Sequence, residues 1–263
     1  MNTKFIIPIS LFILLAFSAC EREEKTGSVA VSFSHYIDNQ PLQLNQMLYT
    51  NAAENNYQVN EVKYFISKIY FITEDNQLVK VKQDDGIHYV DLNYPNTTTW
   101  QLDQIREGEY KAVQFVFGLD EENNTSNRFP NPPECNFFWP QHLGGGYHYM
   151  QINGKWQPPT GDLKNFNFHT GIGQLYHSNV FTVDSIYAYV HNYITLTLPL
   201  EFEVEHKELT QIEMRMNIEQ WFKDPYVYDF NYFGGSIMQN QNAQMVIKTN
   251  GRDVFKWYAT DED

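Results

Sequence analysis

Gln58–Thr73 reads QVNEVKYFISKIYFIT. β-Branched and aromatic residues crowd this stretch, with Val62, Tyr64, Ile66, Ile69 and Phe71 prominent, which is the composition of a strand. The apolar parity changes at Ser67-Lys68, so a bulge is expected there. Working outward, Ser28–Ser34 alternates, with Val29, Val31 and Phe33 on one face. Asp84-Asp85-Gly86 marks a turn before a strand over Ile87–Leu92, and Gly108 precedes another over Glu109–Gly118. Ser185–Leu198 and Leu209–Ile218 read as two more. In the second of these, Ile212, Met214, Met216 and Ile218 alternate with Glu213, Arg215 and Asn217. Helix is scarce. Asn217–Lys223 reads as one short helix stopped at Asp224-Pro225, and Asn240–Val246 as a second helical turn. The pattern predicts an all-β fold: an antiparallel β-sandwich with long loops and one or two short helices. Leu119–Glu134, polar and rich in Asn and Pro, reads as a long functional or disordered loop.

The N-terminus is a sorting signal. One lysine, Lys4, precedes the apolar run Phe5–Phe17, which is too short to span a membrane as a mature helix. Phe17-Ser18-Ala19-Cys20 reads as a lipoprotein cleavage box. Residues 1–19 are then the leader, Cys20 the lipidated residue, 20–27 a solvated tether and 28–263 one domain. The lipid anchor implies an outer-membrane lipoprotein at the periplasmic or cell-surface face. A net charge of −14 over 263 residues excludes nucleic acid as a partner. With Cys20 acylated, only Cys135 of the two cysteines remains, so no internal disulfide forms; Cys135 reads as a buried free thiol first, and otherwise as a weak ligand or a site of interchain pairing.

The chemistry concentrates in FFWPQHLGGGYHYM (Phe137–Met150) and NFHTG (Asn167–Gly171). Imidazole and thioether are the side-chain ligands copper prefers, and a glycine run lets backbone approach a site closely. Three histidines stand out. His35 closes the first strand, where strand-end geometry rather than core packing is expected to set its direction. His148 sits between two tyrosines after Gly144-Gly145-Gly146, with Met150 as its alternation partner. His169 lies opposite in phase to Phe168, just before Gly171. Their separations make no compact metal motif, so they can meet only in the fold. His88 is a fourth candidate, equally readable as a hydrogen-bonding strand residue. Trp139 reads either as a core indole or as a ring beside the metal. His142, His177, His191 and His206 lack supporting context.

SFSHYIDNQPLQL at Ser32–Leu44, YQVNEVKYFISKIYF at Tyr57–Phe71, GEYKAVQFVFGLD at Gly108–Asp120, FFWPQHLGGGYHYMQINGKW at Phe137–Trp156 and FNFHTG at Phe166–Gly171 run in the same order as in another group of proteins. In them the chain resembles the MbnP-like family, copper-binding partners of di-haem enzymes in methanobactin operons and, more widely, bacterial lipoproteins. The resemblance implies a β-rich extracytoplasmic domain that binds copper. It implies a di-haem peroxidase-like partner that oxidises a tryptophan to kynurenine beside the metal. Trp139 matches that tryptophan, His169 the Phe-His-x-Gly histidine, and His35 and His148 the histidines of the lipoprotein branch. The usual Met-x-Trp-x-Trp reads Asn136-Phe137-Phe138-Trp139-Pro140-Gln141 here, which bears on tryptophan oxidation more than on metal binding.

Three readings follow. The first is a lipid-anchored copper protein, not an enzyme, with His35, His148 and His169 as ligands and His88, Trp139 or Met150 close by. The second is a carbohydrate- or peptide-binding surface module that stacks its ligand on Trp139, Tyr147, Tyr149 and Trp156. The third is catalysis by carboxylates such as Asp91, Asp120 or Asp162. The chain contains no Gly-x-Ser-x-Gly elbow, P-loop, dinucleotide fingerprint or Cys-x-x-Cys to support it.

Overall fold

A computed structural model describes residues 24–177 and 182–260. In chain order the strands are β1 (Thr26–Ile37), β2 (Gln40–Pro41), β3 (Tyr49–Thr50), β4 (Asn56–Thr73), β5 (Leu78–Lys80), β6 (Ile87–Asp91), β7 (Thr99–Arg106) and β8 (Gly108–Phe117). They continue with β9 (Met150–Gln157), β10 (Lys164–Thr170), β11 (Ile172–Tyr176), β12 (Ile186–His191), β13 (Ile194–Val204), β14 (Leu209–Asn217) and β15 (Phe255–Ala259). One sheet runs β15-β14-β1-β2, with β7 also on β1. The other runs β10-β9-β4-β8-β13, with β3, β5 and β6 also on β4. The strands β11 and β12 form a separate ribbon. Strand β1 pairs β14 in parallel, an exception in a sandwich whose other pairings, such as β4 with β8 and β9, are antiparallel.

The two sheets close on a core that includes Val29, Val31 and Phe33 of β1, Ile212, Met214 and Met216 of β14, and Tyr64, Ile66, Met150 and Ile152 of the facing sheet. A smaller core lies on the outer side, built from Phe65, Tyr89, Leu119, Phe137, Trp139, Leu143, Tyr147, Tyr149 and Ile172. Tyr64 and Phe65 enter different cores because successive strand residues point to opposite faces.

The long strand β4 decides where the outer core sits. Its Lys63 pairs with Gln151 of β9 on one side and Asp91 of β6 on the other. From Ile66 onward the β9 side belongs to β8. The handover occurs at Phe65, whose N–H donates to the Tyr149 carbonyl at 3.1 Å and whose carbonyl accepts from Gly118 at 2.8 Å. Strands β8 and β9 part there, and the chain between them folds over the outer core. The expected bulge is present. Lys68 has φ 49° and the β4–β8 register shifts between Ser67 and Tyr70.

Several expectations need correction. Ser185–Leu198 is two strands, β12 in the ribbon and β13 in the sheet. Asn192 lies between them, its side-chain Nδ2 donating to Gly171 O, Gln241 Oε1 and Gln244 Oε1. The helix expected at Asn217–Lys223 is a single 3-10 turn, Ile218–Phe222, while the second expected turn is a full helix, α2 (Gln241–Asn250), preceded by a one-turn α1 (Phe230–Phe233). Asn240 caps α2 through Ala243 N. Leu119–Glu134 is pinned by its own side chains, Asp120 accepting from Asn123 and Asn124 accepting from Tyr147 N. Cys135 is half-buried, not a core thiol. Strand β1 begins inside the expected tether, at Thr26. The leader 1–19, Cys20 and residues 21–23 lie outside the described residues.

Candidate metal centre

Strand register builds one half of the site. On β9, Met150 and Ile152 enter the main core, which leaves Gln151 and Asn153 on the outer face. On β10, Phe166 and Phe168 point in and His169 points out. Glu61 of β4 stands opposite Asn153, and Gln151 stands opposite His169. Glu61, Asn153 and His169 therefore form a diagonal across three adjacent strands. Gly154 permits the close approach beneath them. A Cβ there would lie 2.0 Å from Gln58 O and 2.4 Å from the Phe166 ring.

The glycine run delivers the other half. Gly144, Gly145 and Gly146 have φ of 119°, 70° and 77°, conformations that glycine adopts without penalty. The chain doubles back, so that Trp139 N donates to Gly146 O at 2.8 Å and His148 N to Phe137 O at 3.0 Å. This fold-back lays the His148 ring against Phe137 (5.1 Å between centroids), Trp139 (4.8 Å) and His169 (5.1 Å, at 87°). Trp139 is buried, with its Nε1–H donating to Leu143 O at 3.1 Å. Its ring lies so close to Gly171 that a Cβ there would come within 2.6 Å.

Hydrogen bonding assigns the protons on both imidazoles. The Asn153 Nδ2 donates to the Glu61 carboxylate at 2.6 Å, which fixes the amide's orientation because a carboxylate only accepts. Its Oδ1 then faces His169 Nε2 at 2.7 Å, so Nε2 carries the proton. His148 Nδ1 lies 3.2 Å from the Phe137 carbonyl and must likewise be the protonated nitrogen. In neutral rings the remaining nitrogens, His169 Nδ1 and His148 Nε2, are bare lone pairs. Both are buried without a hydrogen-bond partner among the described residues. A buried polar atom left unpaired costs about 1–3 kcal/mol, so two on touching rings call for a partner. Among the described residues six other buried polar atoms, Trp221 Nε1 and Tyr57 OH among them, are also unpaired; what distinguishes the histidines is that their rings touch.

Neutrality is enforced by surroundings. Burial pushes His148 down to about 3, helped by His169 and by the Lys63 ammonium. Burial, with Lys63, pushes His169 down to about 4. Both rings are thus unprotonated donors at neutral pH. Neutral imidazole suits Cu, Zn, Fe and Ni ions, and the donor set fits copper. His169 also lines a cleft of about 660 Å³ shared with Asn167, Met238 and Asn240. Met238 packs against the outer core as well, so one side chain borders both the cleft and that core.

The structure does not bring all the candidates together. His35 is two residues from Phe33 on a regular strand and so shares its core face; strand-end geometry does not redirect it. Its Nε2 is hydrogen-bonded to Tyr64 OH at 3.1 Å, and burial pushes it down to about 3. Met150 is inside the main core while His148 lies against Phe137 and Trp139 of the outer core, so the two share no face. Regular pairing begins only at Met150, and the glycine turn cancels the expected alternation. His88 is stacked between Phe33 and Trp100 and donates through Nε2 to Thr97 O at 2.8 Å. Among the described residues no cluster of three or more His, Cys, Asp or Glu side chains stands ready for a metal.

The proposed stacking platform is also absent. Trp139, Tyr147, Tyr149 and Trp156 are only 1%, 2%, 1% and 5% exposed, since each fills a core. Asp91 and Asp120 are engaged by Lys63 and Lys68, and Asp162 is exposed. Sequence reasoning did not single out Glu61, Asn153 or Met238. Asn153-Gly154 ordinarily signals a turn. The available clue was the alternation of Gln151 and Asn153 with Met150 and Ile152.

Comparison with known proteins agrees with this fold. The family model described as MbnP matches residues 26–244. Among solved structures, MbnP from Methylosinus trichosporium matches with a TM-score of 0.50 and 14% identity, covering 78% of this chain and 79% of that one. At that identity the likeness speaks for the fold alone. No curated protein matches the chain.

Proposed function

The chain belongs to the MbnP family, and from that premise we propose that it is a lipid-anchored, extracytoplasmic copper-binding protein that captures or hands over the metal and is not itself a catalyst. One observation carries the reading: the touching imidazoles of His148 and His169 each bury a nitrogen, His148 Nε2 and His169 Nδ1, that has no hydrogen-bond partner among the described residues. Those two nitrogens would hold the ion. Copper supplies a soft acceptor for their lone pairs and a one-electron couple.

The remaining residues prepare the donors. Phe137 O holds the proton on His148 Nδ1, and Asn153 holds the proton on His169 Nε2. The outer core excludes water on one side, while the Met238 cleft leaves an approach on the other. Trp139 is in edge contact with His148, and the family resemblance makes it the residue that a di-haem peroxidase-like partner would oxidise to kynurenine. Cys20 would anchor the chain to the outer membrane.

A copper titration of the purified protein beside its His148→Ala and His169→Ala variants tests the reading. Wild type is expected to bind one equivalent tightly, and each variant to lose it while keeping its β-sheet spectrum. Tight binding retained in both variants would sink the proposal.

A further inference from the structure

The outer face carries charged groups that a bare histidine pair does not require. The Glu61 carboxylate accepts from three donors: Asn153 Nδ2 at 2.6 Å, Asn93 Nδ2 at 3.0 Å and Lys63 Nζ at 2.6 Å. Lys63 also reaches Asp91 at 3.7 Å, and Asp91 is held in turn by the Tyr89 hydroxyl and by Asn93 N. These contacts tie β4, β6 and β9 together around one carboxylate. The carboxylate has two consequences. It forces the Asn153 amide to present its oxygen to His169, because the opposite orientation would set carbonyl against carboxylate. That oxygen then forces the His169 proton onto Nε2. Without Glu61 the amide could turn over, its NH₂ would donate to His169 Nε2, and the ring proton would move to Nδ1, blocking the donor.

We propose that Glu61 and Asn153 are the positioning residues of this site, a carboxylate–amide–imidazole relay that keeps His169 Nδ1 bare for a soft, nitrogen-seeking cation. The relay rests on the copper-binding reading only for the identity of that cation. Metal-bound histidines commonly donate their second N–H to a carboxylate or carbonyl, and losing that partner costs 10–100-fold in affinity. Here an amide carbonyl takes the role, and the carboxylate one step behind it supplies the orientation.

The test uses two variants, Glu61→Gln, which keeps shape, and Asn153→Leu, which removes the amide. Nitrogen-15 spectra of the metal-free protein at neutral pH report the His169 tautomer directly. A purely structural hydrogen bond would not move that readout. Wild type is expected to show the Nε2–H tautomer alone, and both variants a mixture with Nδ1–H. Affinity for Cu(I) is expected to fall about 10–100-fold in both. An unchanged single tautomer in both variants, or unchanged affinity with a shifted tautomer, would overturn the relay. Should wild type bind no copper, the copper reading fails, and the tautomer comparison still decides whether Glu61 and Asn153 set the ring.

Discussion

The imidazoles of His148 and His169 stand at 87° to each other with centroids 5.1 Å apart, and they arrive there by unrelated routes. His169 is carried by the register of a regular strand. His148 is carried by a fold-back that depends on three left-handed glycines. Each ring has one nitrogen engaged and one bare, so the neighbours of each can be tested separately.

His35 should not share the copper phenotype. It is hydrogen-bonded to Tyr64 within the main core. His35→Phe removes that bond and leaves a buried hydroxyl unpaired, at a cost of roughly 1–3 kcal/mol in stability. Copper stoichiometry should be unchanged, as a titration of the variant would show.

Acid should destabilise the fold in a defined window. The folded-state values of His148 and His169 are pushed from 6.5 to about 3 and about 4. An unfolded chain takes up these protons near 6.5. The stability that depends on neutral rings is therefore complete above 6.5 and drains as pH falls toward the folded values. Buried His35 and His88 add losses of the same sign. Urea midpoints should fall steadily across that range; a flat profile would contradict the assignment of buried neutral rings.

Gly171 should tolerate no side chain. A Cβ would lie 2.6 Å from the Trp139 ring, which is itself in contact with His148. Gly171→Ala should cost about 1–3 kcal/mol, the usual penalty of overpacking. Displacement of the indole should also red-shift tryptophan fluorescence and weaken copper binding.

Met238 should govern entry rather than equilibrium. It lines the cleft that reaches His169. Met238→Leu should slow copper loading in stopped-flow while leaving the final affinity within a few-fold of wild type. Loading at an unaltered rate would remove the thioether from the route.

The strands were legible because their patterning is local. Alternation in Ser28–Ser34 and Leu209–Ile218, and the parity change at Ser67-Lys68, each correspond to observed geometry. What escaped was set by distant pairing. The position of β9 beside both β4 and β10, which creates the Glu61–Asn153–His169 diagonal, depends on register between segments about ninety residues apart. Asn192 falls where the expected strand Ser185–Leu198 divides, and its side chain bonds to α2, which strand periodicity does not reveal. Of the site itself, His148, His169 and Trp139 were legible as a cluster of chemistry-bearing residues. The separation of His35 and Met150 from them depends on which face each strand turns to the core.

The most direct test is to add Cu(I) anaerobically to protein labelled with nitrogen-15 at histidine and follow every imidazole. His148 Nε2 and His169 Nδ1 should shift together, saturating at one equivalent, while His35 and His88 stay in place. Saturable copper uptake that leaves both bare nitrogens unmoved, or that moves His35 in their stead, would contradict this assignment.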